Sequence, residues 1–196
     1  IRTVVCDLDV HSFREGMFDL GNPRFYPIND LEHVLAETNH DDAAGRFAQA
    51  IEIKPFFPDA YAYRGLAWHE LKEYDKAIAD YNKALELDPR NEGIYINRGI
   101  ARLSGKDVEG ALADYGKALE INPASTLALM NRSNARIIAG DTRGAIQDLN
   151  QVILIRPHFA GAYLNRGLAR FELNDYASAL RDFDQCIRLE PDNALA

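Results

Sequence analysis

The feature that most narrows what this chain can become is a period of 34 residues, which runs through most of its 196. Pro89, Pro123, Pro157 and Pro191 are spaced by it, and Pro55 carries the series one step back. Two alanine columns keep the same interval: Ala67, Ala101, Ala135 and Ala169, and Ala77, Ala111, Ala145 and Ala179. Larger side chains recur at Tyr61, Tyr95, Leu129 and Tyr163, and at Tyr81, Tyr115, Leu149 and Phe183. Self-similarity at a fixed interval implies stacked copies of one unit, each burying its apolar face against its neighbours.

Within one unit, AYAYRGLAWHELKEYDKAIADYNKALELDP at 60–89, two runs of helical periodicity are split near LKEYD and closed by Pro89. Proline cannot continue a helix, so each unit reads as helix, tight turn, helix. Small residues, Gly65 and Ala67 against Ala77, fall where two helices must approach closely, and Tyr81 fills the gap beside them.

These columns (an aromatic, a small residue, Ala, an aromatic, Ala and a closing Pro) resemble the signature of the tetratricopeptide repeat family. The resemblance covers about 170 residues and implies an all-α fold, a right-handed superhelical solenoid of helix-turn-helix repeats. Four full repeats are expected at 58–91, 92–125, 126–159 and 160–193. A degenerate fifth is expected at 24–57, its second helix marked by AAGRFAQAIEIKP at 43–55 and its first falling at about 28–38. Residues 1–23 lie outside the period; RTVVCDLDV is β-prone and fits a strand, an extended arm or a cap over the first helix pair. Residues 194–196 are a tail without a capping helix, so either the chain is part of something longer or something else covers Leu180, Phe183 and Ile187. A start at Ile1 rather than Met is what a processed product or a piece of a longer chain would show.

The segment Asn97, Arg98, Gly99 returns as Asn131, Arg132, Ser133 and as Asn165, Arg166, Gly167, with Tyr63, Arg64, Gly65 before them. The resemblance implies that the first helix of each repeat lines a concave groove and that the Asn97, Asn131, Asn165 column points into it, Tyr63 taking that place one repeat earlier. An asparagine amide carries acceptor and donors together, so a ladder of them can hold the backbone of an extended peptide. The asparagine ladder of O-linked N-acetylglucosamine transferases is similar in placement. The alternative, that these amides are solvated or bonded to their neighbours, is open at this level. Ile96, Ile100, Leu103, Met130, Ile137, Leu164, Leu168 and Phe171 lie on or near the same face, and apolar groups exposed in a groove mark a binding surface.

The arginines read differently. Arg64, Arg98, Arg132 and Arg166 keep step with Asp80, Asp114, Asp148 and Asp182 in the second helices, which is expected of structural ion pairs between helices. A second column, Arg102, Arg136 and Arg170, replaces Trp68 of the leading repeat. No matching acidic column is evident for it, so these residues read as packed stems with solvated charge or as a strip that meets carboxylates or phosphates. Some family members clamp the C-terminal carboxylate of chaperones with lysines, asparagines and an arginine. The registers for those cations hold Ala62, Gly161 and Asn165, which opposes that use here.

Thirty acidic against 22 basic residues give a net charge of −8, which opposes general attraction to nucleic acid or anionic membranes. No run approaches the ~20 apolar residues of a membrane span. Cys6 and Cys186 make no metal or redox spacing, nor do His11, His33, His40, His69 and His158. Cys186 shares a column with Ala84, Ala118 and Val152 and is expected to be a small core residue, and HDD at 40–42 to start a helix capped by Asp41 or Asp42. VVCDLDV at 4–10 superficially matches a phosphatase aspartate pair, but a helical-repeat chain has no room for the sheet that chemistry needs. The Asn131 sequon lies inside a helix, and no phosphate loop or nucleophile elbow is present.

No catalytic residue, metal or cofactor is therefore expected. The function that follows is non-enzymatic: a scaffold or adaptor holding a partner segment in the groove through Asn97, Asn131 and Asn165, with Tyr63, Ile100, Met130, Leu168 and Phe171 accepting its side chains. Two alternatives stand beside it. One is a homo-oligomeric assembly through the uncapped last repeat or the N-terminal arm; the other is a regulatory or substrate-recruiting part of a larger enzyme.

Overall fold

The computed structural model describes residues 40–190. The N-terminal segment 1–23, the first helix of the degenerate repeat and the tail at 194–196 lie outside the described residues. Within them the chain is all-α: α1 His40–Ile53, α2 Pro58–Glu70, α3 Tyr74–Leu87, α4 Glu92–Ser104, α5 Val108–Ile121, α6 Thr126–Ile138, α7 Thr142–Ile155, α8 Ala160–Glu172 and α9 Tyr176–Leu189. The described residues divide into two compact units, 40–89 with α1 to α3 and 90–190 with α4 to α9. In each unit consecutive helices pack as antiparallel neighbours, α2 on α3, α4 on α5, α6 on α7 and α8 on α9, while α1 leans on α2, α5 on α6 and α7 on α8.

Local chemistry sets the ends of these helices. Asn91 and Ser125 cap α4 and α6, their side-chain oxygens accepting from the amides of Ile94 and Ala128 at 3.2 Å. Asp107, Asp141 and Asp175 do the same for α5, α7 and α9. Each tight turn is closed by a residue with positive φ at the repeat interval: Lys72, Lys106, Gly140 and Asn174. In the second of these turns Lys106 N–H donates to the Leu103 carbonyl and Asp107 N–H to that of Arg102, the paired bonds of a Schellman stop. The expected helix at HDD is present, but neither Asp41 nor Asp42 stands at the residue before it, where a cap would be. The helix already runs at His40, so Asp41 and Asp42 lie inside it.

The core is built on the two alanine columns, all eight of which are buried. Glycine lets the paired helices come closer still. A Cβ on Gly99 would stand 2.6 Å from Tyr115 Cε1, on Gly167 2.5 Å from Phe183 Cε1 and on Gly65 2.9 Å from Tyr81 Cε1. The third full repeat resolves the same conflict in another way: Ser133 replaces the glycine, and the ring opposite it becomes Leu149. Tyr61 and Tyr163 reach back along the chain, their hydroxyls donating to the carbonyls of Pro55 and Pro157 at 3.2 and 3.0 Å.

Cys186 departs from expectation. Ala84, Ala118 and Val152 in its column are fully buried, whereas Cys186 is only half-buried, because among the described residues no helix follows α9 to cover that side. Partial burial, and then Glu190, push its thiol pKa up.

Two open glycines separate backbone from packing, since a Cβ on either meets nothing within 4 Å. Gly140 has φ +82°, so Gly140→Ala is expected to lower stability by ~1 kcal/mol. Gly116 lies within α5, so Gly116→Ala is expected to raise it by up to ~1 kcal/mol. Urea midpoints moving in the same direction would refute the role given to the Gly140 turn. Gly99→Ser is expected to cost ~2 kcal/mol by overpacking. Combined with Tyr115→Leu it should cost less than the two single changes added, a coupling that a double-mutant cycle measures.

Candidate functional site

The recurring triplet occupies the first helix of each full repeat, and its three letters go to different places. The glycine meets the ring of the second helix, as above. The arginine turns to the same helix: Arg98 Nε donates to Asp114 Oδ2 at 2.9 Å and Nη2 to Oδ1 at 2.6 Å, a two-point grip on a carboxylate only 1% exposed. Arg64 holds Asp80 in this way at 2.7 and 2.7 Å, Arg132 holds Asp148 at 3.0 and 2.7 Å, and Arg166 holds Asp182 at 3.0 and 2.6 Å. The hydrogen bond to Asp80 raises the pKa of the Arg64 guanidinium further, keeping it protonated. Three of the four guanidiniums also lie over the tyrosine three residues before them, Arg64 on Tyr61, Arg98 on Tyr95 and Arg166 on Tyr163, at 5.4–5.7 Å.

The second cationic column needs correction. Arg102, Arg136 and Arg170 share the acidic column already in use: their Nη1 atoms lie 2.8, 2.8 and 2.7 Å from Asp114, Asp148 and Asp182 Oδ2. An ionised carboxylate offers about four lone-pair sites, so one aspartate can serve two guanidiniums that stand one helical turn apart. Arg102 and Arg136 also donate to the carbonyls of Gly110 and Gly144, tying the first helix to the start of the second. In the leading repeat Trp68 takes the column instead, and Lys76 Nζ sits 4.6 Å from its ring. The spacing of four between the arginine columns was the available signal; pairing columns one to one concealed it.

The side chains expected to face a partner are spread over different surroundings. Tyr63 is buried, stacked on Phe47 at 5.7 Å beside Ala43, Ala44 and Ala67, because α1 covers it. Ile96 is likewise in the core, and Asn97 is only 7% exposed. Asn131 is half-buried and donates through Nδ2 to the Leu127 carbonyl at 3.0 Å, one turn back on its own helix. Asn165 is half-buried on α8. Ile100 packs against the cluster around Tyr115, and Met130 against that around Leu149. Leu168 and Phe171 are the open ones, 49% and 57% exposed. Ile138 and Asn134 on α6 are exposed as well and were missed, although they stand seven and three residues after Asn131, where helical spacing returns to one face.

Among the described residues no group of His, Cys, Asp or Glu is arranged to hold a metal ion, and no helix is long and apolar enough to cross a membrane.

Profiles of the tetratricopeptide repeat match residues 58–91 and 135–196. The chain is a tetratricopeptide repeat protein, an all-α helical-repeat solenoid. Solved structures agree on the fold. MamA from Desulfovibrio magneticus RS-1 superposes with a TM-score of 0.77 at 18% identity, over 84% of this chain and 93% of that one. YrrB, described as a tetratricopeptide repeat protein with an unusual peptide-binding site, gives 0.71 at 22% identity, over 86% and 87%. PilF from Pseudomonas aeruginosa gives 0.73 at 20%, over 82% and 73%. No curated protein sequence matches the chain significantly.

The shared carboxylates predict a ranking. Asp114→Ala strands two arginines and is expected to cost ~3 kcal/mol, the low end for a broken buried pair because both guanidiniums reach solvent. Arg102→Ala leaves the two-point grip of Arg98 in place and should cost ~1 kcal/mol. Chemical denaturation measures both, and equal losses would mean that the two arginines do not share one site.

Proposed function

We propose that the chain is a protein-interaction scaffold that holds an extended segment of a partner on the first-helix face of its last two full repeats. Support comes from the contrast between columns. In each full repeat from 92 onward, two arginines are turned inward onto one aspartate, and the exposed side chains left on α6 and α8 are Asn134, Ile138, Leu168, Phe171 and, at the end of α8, Glu172, which accepts from Thr142 Oγ1. Asn131 and Asn165 stand in register there, with Ile138, Leu168 and Phe171 exposed on the same pair of helices. Apolar side chains that large, kept in water beside amides able to bond a peptide backbone, suit a neutral or apolar peptide more than an acidic one. The family supports the coarse role, since tetratricopeptide repeats serve as protein-interaction scaffolds.

The centre of this reading moves toward the C-terminal repeats, because Tyr63 and Asn97 offer little surface. A random peptide library selected on the wild-type chain provides the probe. Asn131→Ala with Asn165→Ala is expected to weaken the selected peptides about tenfold, ~1.4 kcal/mol, and Leu168→Asp with Phe171→Asp to abolish their binding. Circular dichroism and melting temperature should stay unchanged in both. Peptides that bind all three proteins equally would place the binding surface elsewhere.

A further inference from the structure

Among the exposed side chains of α6 and α8, Glu172 is the only charged one. Its openness does not come from standing in the last full repeat, because Ser104 and Ile138 in the same column are exposed as well, although a further repeat follows each. The carboxylate accepts from Thr142 Oγ1 at 3.1 Å, a neutral donor at the start of α7. Among the described residues no cation stands within ion-pair distance of it, and Arg143, next to Thr142, makes no such pair. A negative charge on the last residue of a helix also opposes the helix dipole, so folding gives little reason for a glutamate there.

The ring beside it is in the same condition. Phe171 is 57% exposed with Tyr176 edge-on at 5.2 Å, and no cation of the described residues lies over either ring. Elsewhere in the chain a guanidinium or an ammonium lies over Trp68, Tyr95, Phe159 and Tyr163. The leading full repeat shows what the same three columns do when a cation-forming group is present. There they hold His69, Glu70 and Tyr74, and one imidazole serves both neighbours: its Nδ1 stands 3.5 Å from Glu70 Oε1 and its ring 5.5 Å from that of Tyr74. Phe171 replaces that imidazole in the last full repeat, which leaves a carboxylate and an aromatic face without the group that can carry positive charge between them. Leu168, one turn before Glu172 and 49% exposed, adds an apolar bed on the same face. A carboxylate, a ring and an aliphatic surface together suit one kind of side chain, a cation on a long apolar stem. These helices have none to spare, because Arg132, Arg136, Arg166 and Arg170 are all bonded to Asp148 or Asp182.

Resting on the groove reading above, we propose that the partner segment carries a lysine or arginine beside its apolar residues, and that Glu172 and Phe171 select it. Glu172→Gln keeps an acceptor for the Thr142 hydroxyl and removes only the charge, so it separates recognition from the tie between repeats. Peptides selected from a random library on the wild-type chain are expected to share Lys or Arg at one position. Glu172→Gln should weaken them about fivefold with no change in melting temperature. That loss should shrink as salt is raised, and replacing the peptide's basic residue by norleucine should cost the glutamine variant nothing further. Glu172→Arg should turn the preference to Asp or Glu at that position. Peptides that need Leu168 and Phe171 but share no basic position, or that bind the glutamine variant as tightly as the wild type, overturn the inference and leave the groove reading standing. A library that yields no binder, or binders indifferent to Leu168→Ala with Phe171→Ala, removes that reading and this inference with it.

Discussion

Each repeat from 92 onward depends on one buried carboxylate. Asp114, Asp148 and Asp182 sit on the second helix and are approached from the first by two arginines apiece, one with a two-point grip and one with a single bond. Burying an ion costs several kcal/mol in lost hydration, so such a group is stable only when its lone pairs are filled. Here they are filled in one way alone, with the two helices at a fixed azimuth and a fixed axial offset. A one-residue slip in either helix would leave a charge inside without a partner. The carboxylate therefore sets register more than it adds net stability, and the glycine-to-ring and alanine contacts are built on that register.

The close approach has its own logic. Where the first helix carries glycine, the second carries a six-membered ring in contact with it; where the first carries Ser133, the second carries Leu149. The volume exchanged across the helix pair is roughly conserved, as expected of an interior that tolerates substitution when volume is kept. The columns are thus not independent letters. A repeat changes the small residue and the large one together, and the helix spacing is preserved.

The fold was legible in the sequence because its constraints are periodic and local. The prolines, the alanine columns and the small-to-aromatic contacts all recur at the repeat interval, and each has one physical meaning. The candidate site was less legible. Asn97, Asn131 and Asn165 are one residue type at one register, yet the first is nearly buried while Asn131 spends a donor on its own helix. Tyr63 was placed in the groove by register and is enclosed by α1, a helix whose repeat has lost most of the columns. Exposure depends on what lies above a residue, and periodicity speaks only of the unit beneath it. The second arginine column was misread for another reason: one carboxylate can accept from two guanidiniums, and counting columns hides that capacity.

In a repeat protein the positions that keep the period are those that hold the wall, so specificity resides where the period breaks. Arginine, aspartate, alanine and the glycine-ring contact vary little from 92 to 190, because any departure costs packing or a buried charge. At two further columns of the first helices, Ile100, Asn134 and Leu168 occupy one position and Leu103, Ile137 and Phe171 another; the first exchanges apolar groups for an amide, and the second stays apolar while it passes from partly buried Leu103 to open Phe171. The second helices show the same division: Asp114, Asp148 and Asp182 are constant, whereas Glu120, Leu154 and Arg188 differ in charge as well as size. The inward residues make the solenoid, and they are the same in each copy. The outward residues give each copy its own surface, and the C-terminal repeat, where Leu168, Phe171, Leu180 and Ile187 are all exposed, departs furthest from what folding alone requires.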